Sequence, residues 1–266
     1  LMAEHGSAAA ALQALPAIAL AAGVEGYEPC PEGVARAELH AGEKLGARLL
    51  LHGGPGYPPA LADLADAPPA LWALGDVGLL TRPAVGLVGA RNASSLGTRM
   101  ARRLGQGLSD AGFCVASGLA RGIDAAAHAA ALGGEGRTVA IMAGGIDVIY
   151  PAENATLARD IAAGGCRISE HPPGLEPQAR HFPLRNRIIA GLSHAVVVVE
   201  AAAKSGSLIT ARAALDQGRE VMAVPGHPFD ARASGCNILI RDGALLIRGP
   251  QDVLEALGAP TEGSPE

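Results

Sequence analysis

The stretch Val85-Gly86-Leu87-Val88-Gly89-Ala90-Arg91 opens the part of the chain that decides its fold. Apolar residues and glycine form a strand-like run, an arginine follows in a turn, and residues 94–111 then carry a helical pattern. The same succession of apolar strand, turn and alanine-rich helix recurs as far as residue 257. It predicts βαβ units and therefore a parallel sheet, and strands that are apolar throughout predict helices on both of its faces.

Six strands and six helices follow from this pattern. The expected strands are residues 85–89, 113–117, 138–143, 167–170, 195–200 and 220–224. The expected helices are residues 94–111, 123–132, 155–163, 184–193, 207–217 and 250–257. We therefore expect a doubly wound, mainly parallel α/β sheet.

The composition on either side of this pattern suggests the domain organisation. Residues 1–52 are alanine-rich and interrupted by glycine and proline, which predicts a small helical N-terminal module. The Gly- and Pro-rich residues 53–76 are interpreted as the join to the main domain, with short strand or helix content near residues 49–51 and 71–74. The main domain is expected over residues 53–249. Residues 250–266 are expected to form a C-terminal helix and a frayed polar tail.

Charge and cysteine content exclude several classes of protein. The 266 residues carry a formal net charge of −5, so the surface is not uniformly basic, and nucleic-acid binding would need a concentrated basic patch. The four cysteines include no CxxC pair, which predicts a reducing compartment and neither a metal site nor a disulfide framework.

The sequence also lacks targeting signals. No apolar run reaches the ~20 residues that a membrane-spanning helix needs. The first residues do not form a secretory signal, and we expect a cytoplasmic protein that does not contact the membrane. Those first residues resemble the interior of a helix, so we expect that residues are missing upstream.

Three loops share a chemistry that suits a phosphate-bearing ligand. Each follows a predicted strand, contains glycine, a cation and most often a hydroxyl, and precedes a helix whose free N–H groups favour an anion. The residues concerned are Gly89, Ala90, Arg91 and Asn92 in the first loop, Ser117, Gly118 and Arg121 in the second, and Lys204, Ser205 and Gly206 in the third. Because the carboxyl ends of parallel strands meet at one edge of the sheet, we expect these loops to converge. The GxGxxG and GxxxxGK[ST] fingerprints are absent, so these nucleotide-binding modes are unsupported.

The segment Phe182-Pro183-Leu184-Arg185-Asn186-Arg187 follows the fourth predicted strand and should emerge at the same edge. An aromatic ring beside two guanidinium groups can stack on a base and hold a phosphate. The alternative is that Phe182 belongs to the core and the arginines cover a solvated helix face.

Candidates for catalysis have structural interpretations that we favour. Asp124 and His128 are four residues apart on one predicted helix, where they face each other as an acid–base pair or, as we prefer, anchor the start of the helix. Glu170 and Glu200 each end a strand and are either catalytic or accept backbone N–H bonds from loops. The motif GxSxG does not occur. We therefore expect no catalytic site, no metal and no cofactor.

Taken together, the motifs resemble the DNA-processing protein A family (DprA, also called Smf). The resemblance covers residues 50–245 and is carried by the sequences YPPAL at residues 57–61, VGAR at 88–91, SGLARGIDAAAH at 117–128, IYPAEN at 149–154, FPLRNRII at 182–189, KSGSLITA at 204–211 and SGCN at 234–237.

The resemblance implies an extended Rossmann-like domain that binds single-stranded DNA without cutting it. Family members protect incoming DNA during natural transformation in competent cells, help to load the recombinase RecA in DNA recombination, and act as homodimers. The resemblance assigns the phosphate pocket to Gly89, Ala90 and Arg91. It places the family's RNR segment at Arg185, Asn186 and Arg187 and the stacking ring at Phe182. Many members have Ser or Thr at Ala90, and we expect a backbone N–H to replace that hydroxyl. Some members add a C-terminal winged-helix domain, and we expect no complete one within these 266 residues.

Two rival functions remain open. The LOG-type phosphoribohydrolases have a related sheet with a PGGxGTxxE loop that recruits a catalytic glutamate. The corresponding residues 204–210 lack the second glycine and the glutamate of that motif. The other rival is an interaction scaffold whose RNR segment docks a protein.

Overall fold

The computed structural model describes residues 1–258 (without the side chains of residues 2 and 3), and the chain divides into two compact units, Leu1–Ala41 and Gly42–Glu266. The first unit is helical, as predicted, with α1 (Met2–His5), α2 (Ala8–Ala21) and most of α3 (Glu32–Lys44). Ser7 caps α2, because its hydroxyl accepts a hydrogen bond from the Ala10 N–H at 3.2 Å.

A nine-stranded sheet organises the second unit over the residues that the structure describes. Its strands are β1 (Arg48–Leu51), β2 (Ala70–Gly75), β3 (Ala84–Val88), β4 (Cys114–Ser117), β5 (Thr138–Ile141), β6 (Cys166–Ser169), β7 (Ala195–Val198), β8 (Glu220–Ala223) and β9 (Leu245–Leu246). The spatial order is β1-β2-β6-β5-β4-β3-β7-β8-β9. The seven strands from β6 to β9 are parallel, whereas β2 pairs antiparallel with both β1 and β6. The predicted α/β class and the mainly parallel sheet are therefore confirmed.

The strand order places a switch point between β3 and β7. From β3 the chain adds β4, β5 and β6 on one side and then returns to add β7, β8 and β9 on the other. The strands β5-β4-β3-β7-β8-β9 thus reproduce the 3-2-1-4-5-6 order of the Rossmann fold. In such sheets the ligand crevice lies beyond the carboxyl ends of the strands at the point where the order reverses.

The segment interpreted as a join contributes β2, and β1 lies just before it, within residues 1–52. Strand β1 pairs with β2 in the register Leu50↔Leu71, and β2 continues the sheet through Trp72↔Ser169. The predicted boundary after residue 52 therefore lies inside the second unit. The short strand or helix content expected near residues 49–51 and 71–74 is present as the strands β1 and β2.

Helices cover both faces of the sheet. They are α4 (Pro59–Ala62), α5 (Ser95–Asp110), α6 (Ile123–Ala131), α7 (Ala155–Gly164), α8 (His181–Leu192), α9 (Ser207–Asp216), α10 (Ser234–Arg241) and α11 (Pro250–Leu257), with short 3₁₀ turns at Val77–Thr81, Ala152–Asn154 and Ala231–Ala233. Along β7, Val196 and Val198 pack with α8, α9 and α10, whereas Val197 packs with α5, α6 and α11. The uniformly apolar strands therefore have buried side chains on both faces.

Two boundaries differ from the sequence prediction in ways that affect the site. Helix α8 begins at His181, so Phe182 lies in its first turn and not in the preceding loop. Residues 238–247, whose structure the sequence left open, contain the end of α10 and the two-residue strand β9. The predicted frayed tail at residues 259–266 lies outside the described residues. None of the described helices combines the length and the apolarity that crossing a membrane requires.

Candidate nucleic-acid interface

The loops after β3, β4 and β7 converge at the carboxyl edge of the sheet, as predicted. Because these three strands are neighbours in the order β4-β3-β7, the loops lie side by side at the switch point. They enclose, with α8, a main cavity of about 630 Å³. Its lining includes Gly89, Ala90, Arg91, Asn92, Asp124, Phe182, Arg185, Asn186, Lys204, Ser205, Gly206 and Arg232.

The ring of Phe182 separates the main cavity from a smaller one. This side cavity has a volume of about 280 Å³ and is lined by Arg91, Asn92, Gly118, Ala120, Arg121, Tyr150, Pro151 and Phe182. The Arg91 guanidinium lies 5.0 Å from the centroid of the Phe182 ring, and the Tyr150 ring lies edge-on to it at a centroid distance of 5.6 Å. The Arg91 guanidinium and the Phe182 ring therefore lie side by side in the lining of both cavities.

Arg185 lines the floor of the main cavity and is not exposed as a phosphate contact would be. Its side chain is buried, and its Nη1 donates hydrogen bonds to the carbonyl oxygens of Gly118 and Ile141. Burial lowers the pKa of Arg185 to about 10, although Asp124 opposes this effect, so the guanidinium is charged at neutral pH. Arg185 therefore fixes the second loop to β5 and supplies positive charge from below.

Arg187 lies away from the cavity, contrary to the expectation that the whole RNR segment would face it. Its Nη2 donates to Glu170 Oε2 and its Nε lies 3.5 Å from Asp66 Oδ2. Residues 185 and 187 are two apart on α8, which places them about 200° apart around the helix axis. Asn186, the residue between them, lines the main cavity and accepts a bond from Arg185 Nε at 3.2 Å.

The backbone N–H and carbonyl of Ala90, in the first loop, are both hydrogen-bonded within the fold. The Ala90 N–H donates to the Glu200 carbonyl at 2.7 Å, and the Ala90 carbonyl accepts from the Ile123 N–H at 3.2 Å. The N–H that we expected to replace the missing hydroxyl is therefore already used. Gly89 is needed for this approach, because a Cβ there would lie 2.6 Å from Ile123 Cγ1 and 2.9 Å from the Glu200 oxygen.

Glu200 has the structural role predicted for it. Its buried carboxylate accepts hydrogen bonds from the Ser94 N–H at 2.9 Å and from the Ser94 hydroxyl at 2.5 Å. The same hydroxyl accepts from the Gly97 N–H at 2.9 Å and so caps α5. The loop that carries Arg91 is thus fixed at its far end by a charge-assisted bond.

Asp124 and His128 hold the second loop instead of pairing with each other. Asp124 Oδ2 accepts from the Gly118 N–H at 3.1 Å, and burial raises the pKa of its carboxyl. His128 Nε2 accepts from the Leu119 N–H at 3.3 Å, and its Nδ1 lies 2.7 Å from Thr138 Oγ1, whose hydroxyl donates to the Val115 carbonyl. This chain of bonds requires a neutral ring, and burial lowers the pKa of His128 to about 3.

The remaining predicted residues have different positions. The buried Ser117 hydroxyl donates to the Leu87 carbonyl at 2.6 Å and cannot face a ligand. Arg121 lines the side cavity, where its Nε lies 3.1 Å from Glu153 Oε1 in an exposed ion pair. Lys204 is exposed at the rim of the main cavity.

Two residues of the site were missed in the sequence analysis. Tyr150 lies in the loop after β5, and Arg232 in the loop after β8, so both extend from the same edge of the sheet as the recognised loops. Applying the edge rule to the loop after every predicted strand would have pointed to both.

The fold and the cavities define a class: a Rossmann-like α/β protein with a cationic, ring-bearing crevice at its switch point. A family model described as DNA recombination-mediator protein A matches residues 48–258, and one described as a DprA-like N-terminal HHH domain matches residues 1–41. The chain therefore belongs to the DNA recombination-mediator protein A (DprA/Smf) family, and the resemblance found in its motifs is confirmed.

Individual relatives support this assignment. The DNA processing protein DprA of Bacillus subtilis (strain 168) is 47% identical over 202 residues, which cover 76% of this chain and 68% of the relative. The X-ray structure of DNA processing protein A (DprA) from Streptococcus pneumoniae has a TM-score of 0.75 and 43% identity, covering 78% of this chain and 73% of that one. Across the curated relatives, the chain spans from 50% to 70% of their length.

A second solved structure concerns the single-stranded DNA binding of a relative. It is that of DNA processing protein A from Helicobacter pylori, whose description concerns a unique single-stranded DNA binding mode of that protein. Its TM-score is 0.72 at 29% identity, and the match covers 79% of this chain and 95% of that one.

Proposed function

We propose that this protein binds single-stranded DNA in the main cavity, where Phe182 stacks on a base while Arg91 and Lys204 contact phosphates. The observation that carries the proposal is the Arg91 guanidinium 5.0 Å from the Phe182 ring at the wall shared by two cavities. One ring can thus stack on a base while the neighbouring cation holds the adjoining phosphate.

The distribution of charge favours an anionic strand at this edge. The whole chain has a net charge of −5, yet the main cavity is lined by Arg91, Arg185, Lys204 and Arg232. Its carboxylate, Asp124, is buried and bonded to the Gly118 N–H. Local positive charge on an acidic protein is what a localised nucleic-acid site requires.

A single strand suits the cavity better than a duplex. Bases must be unstacked from their neighbours to lie on a protein ring, and the Phe182 ring lines cavities of about 630 and 280 Å³. The single-stranded DNA binding mode described for the Helicobacter pylori relative supports the same ligand.

Among the described residues of the site, the candidate acid–base groups of the phosphoribohydrolase alternative are hydrogen-bonded within the fold, including Asp124, which accepts from the Gly118 N–H. Glu200 is committed to Ser94, and His128 is held neutral between Leu119 and Thr138. We therefore propose binding without catalysis. Turnover of a nucleoside monophosphate that is abolished by Glu200→Gln or Asp124→Asn would contradict this part of the proposal.

The deciding experiment compares oligothymidylate affinity for the wild type and for the double variant Arg91→Ala/Phe182→Ala. Stacking contributes about 1–3 kcal/mol per base, so we expect at least roughly a 5-fold to 100-fold loss of affinity. Arg159→Ala, which removes an exposed arginine from α7, is the control and should bind like the wild type. Equal affinities for all three proteins would refute the site.

We propose further that the bound strand is used in recombination: the protein acts as a homodimer, protects the DNA and helps to load RecA on it. Support comes from the family, described as a recombination mediator, and from the names of the DNA-processing relatives. Light scattering would test the dimer, and nuclease digestion of a bound oligonucleotide would test protection. RecA filament assembly on the protein–DNA complex, compared with DNA alone, would test loading.

A further inference from the structure

The loop between β8 and α10 carries an exposed aromatic ring that the site described above does not use. Phe229 is 94% exposed, far more than Phe182, and it lies beside His227 at a ring-centroid distance of 5.5 Å and an interplanar angle of 39°. Full exposure of a phenylalanine costs hydrophobic stabilisation, since burying such a ring is favourable by about 1.5–3 kcal/mol. The ring is therefore a candidate contact surface.

A cavity that is lined by two exposed arginines adjoins this loop. It has a volume of about 380 Å³ and we call it the α5 cavity, because its lining includes Arg99 and Arg103 of α5 together with His227 of the loop. The two carboxylates of its lining are already paired with other groups of the protein. Glu200 accepts from Ser94, and Asp230 pairs with Arg232 at 3.2 Å.

The α5 cavity and the main cavity are linked by that ion pair. Asp230 lines the α5 cavity and Arg232 lines the main cavity, so the two cavities meet at the Asp230–Arg232 pair. Both cavities open at loops that follow parallel strands, the main one after β3 and β7 and the α5 cavity after β7 and β8. The path past Arg232 leads from the main cavity to the α5 cavity, which His227, Arg99 and Arg103 line, and Phe229 lies beside His227.

We propose that this path is a second DNA-binding station, where Phe229 stacks on a further base of the same single strand and Arg99 and Arg103 hold its phosphates. The inference rests on the proposed function of the main cavity. The two exposed arginines of α5 and the Asp230–Arg232 pair that links the cavities favour the strand over other occupants. The station lengthens the binding site without changing what the main cavity binds.

A length series tests the second station. Affinities are measured for oligothymidylates of about 4 to 16 nucleotides, the range of site sizes found for single-strand binding folds. Phe229→Ala should leave the shortest oligonucleotide unaffected and weaken the longest by about five-fold or more. Leu215→Ala, which removes another exposed apolar side chain from α9, is the control and should match the wild type throughout.

The arginines are tested by salt dependence. Arg99→Gln/Arg103→Gln should reduce the slope of log affinity against log salt by about 0.7 for each phosphate that is no longer neutralised, for the longest oligonucleotide only. Wild-type behaviour of Phe229→Ala at every length would overturn the second station, and so would an equal loss of affinity at every length. Failure of the main site is distinguishable, because then Arg91→Ala/Phe182→Ala would not affect even the shortest oligonucleotide.

Discussion

The guanidinium carbon of Arg91 lies 5.0 Å from the centroid of the Phe182 ring, although Arg91 follows β3 and Phe182 lies in the first turn of α8. The two are brought together because β3 ends and α8 begins at the carboxyl edge of the sheet, where the strand order reverses. A cation over an aromatic face stabilises the arrangement by about 0.5–1 kcal/mol at an exposed site. The ring and the charge should therefore act on a bound strand as one unit.

The first prediction concerns this coupling. Oligonucleotide affinity is measured for Arg91→Ala, Phe182→Ala and the double variant. The losses of binding free energy in the two single variants should together exceed the loss in the double variant by about 0.5–1 kcal/mol, because each change also misplaces the other group. Arg91→Lys keeps the charge and should retain part of the coupling. Strictly additive losses would show that the two residues bind the strand independently.

The second prediction separates the arginines of the RNR segment from Arg91. Arg91→Gln should reduce the slope of log affinity against log salt by about 0.7, because the variant neutralises one phosphate fewer. Arg187→Gln should leave that slope unchanged and instead lower the free energy of unfolding by about 1–3 kcal/mol, since it leaves Glu170 without its partner. Binding titrations at several salt concentrations and urea denaturation measure the two effects. A reduced slope for Arg187→Gln would place that side chain on the DNA.

The convergence of the loops could be predicted from sequence because it depends only on connectivity. Any apolar strand followed by a helix in a parallel sheet delivers its turn to the same edge, so Arg91 and Lys204 could be placed together without knowing a single contact. The same reasoning did not reach Tyr150 or Arg232. The edge rule was applied to three loops only, so the loop after β5 was left out although it contains Gly144 and Gly145, and the loop after β8 was left out although it contains Gly226 and Arg232.

The separate roles of Arg185 and Arg187 could not be read from the sequence. They depend on the rotation of α8 about its axis, which is set by packing against β3, β4 and β5 and by the unexpected start of the helix at His181. Asp66, which pairs with Arg187, lies in the segment interpreted as a join, and the sequence pattern there does not indicate a contact with α8. Local patterns therefore identified the edge of the sheet but not which side chains face the cavity.

The third prediction tests the packing of Arg185 beneath the second loop. A Cβ at Gly118 would lie 2.0 Å from Arg185 Nη1, whose bonds to the Gly118 and Ile141 carbonyls leave it little freedom to move. Gly118→Ala should therefore lower the free energy of unfolding by about 1–3 kcal/mol. Gly206→Ala is the matched control from another loop, because a Cβ there meets nothing within 4 Å, and its stability should be unchanged. Equal stability of the two variants in urea denaturation would contradict this account of Arg185.

The fourth prediction follows from the neutral ring of His128. Its pKa is lowered by burial from 6.5 to about 3, so the folded protein binds fewer protons than the unfolded chain between these values. The contribution of the neutral His128 ring to the free energy of unfolding is complete above about pH 6.5. It is lost as the pH falls towards 3, with a slope of up to ~1.4 kcal/mol per pH unit. The raised pKa of Asp124 acts in the opposite direction, because its folded state holds a proton that the unfolded state releases above about pH 4.

His128→Gln isolates this contribution, because glutamine does not titrate. Urea denaturation between about pH 7 and pH 5 avoids most of the carboxyl titrations. The wild type should lose stability with falling pH more steeply than the variant in this interval, and the NMR signals of the His128 ring should stay at their neutral positions throughout. Parallel stability curves, or a ring that titrates near pH 6.5, would show that the bonds to Leu119 and Thr138 do not hold the imidazole neutral.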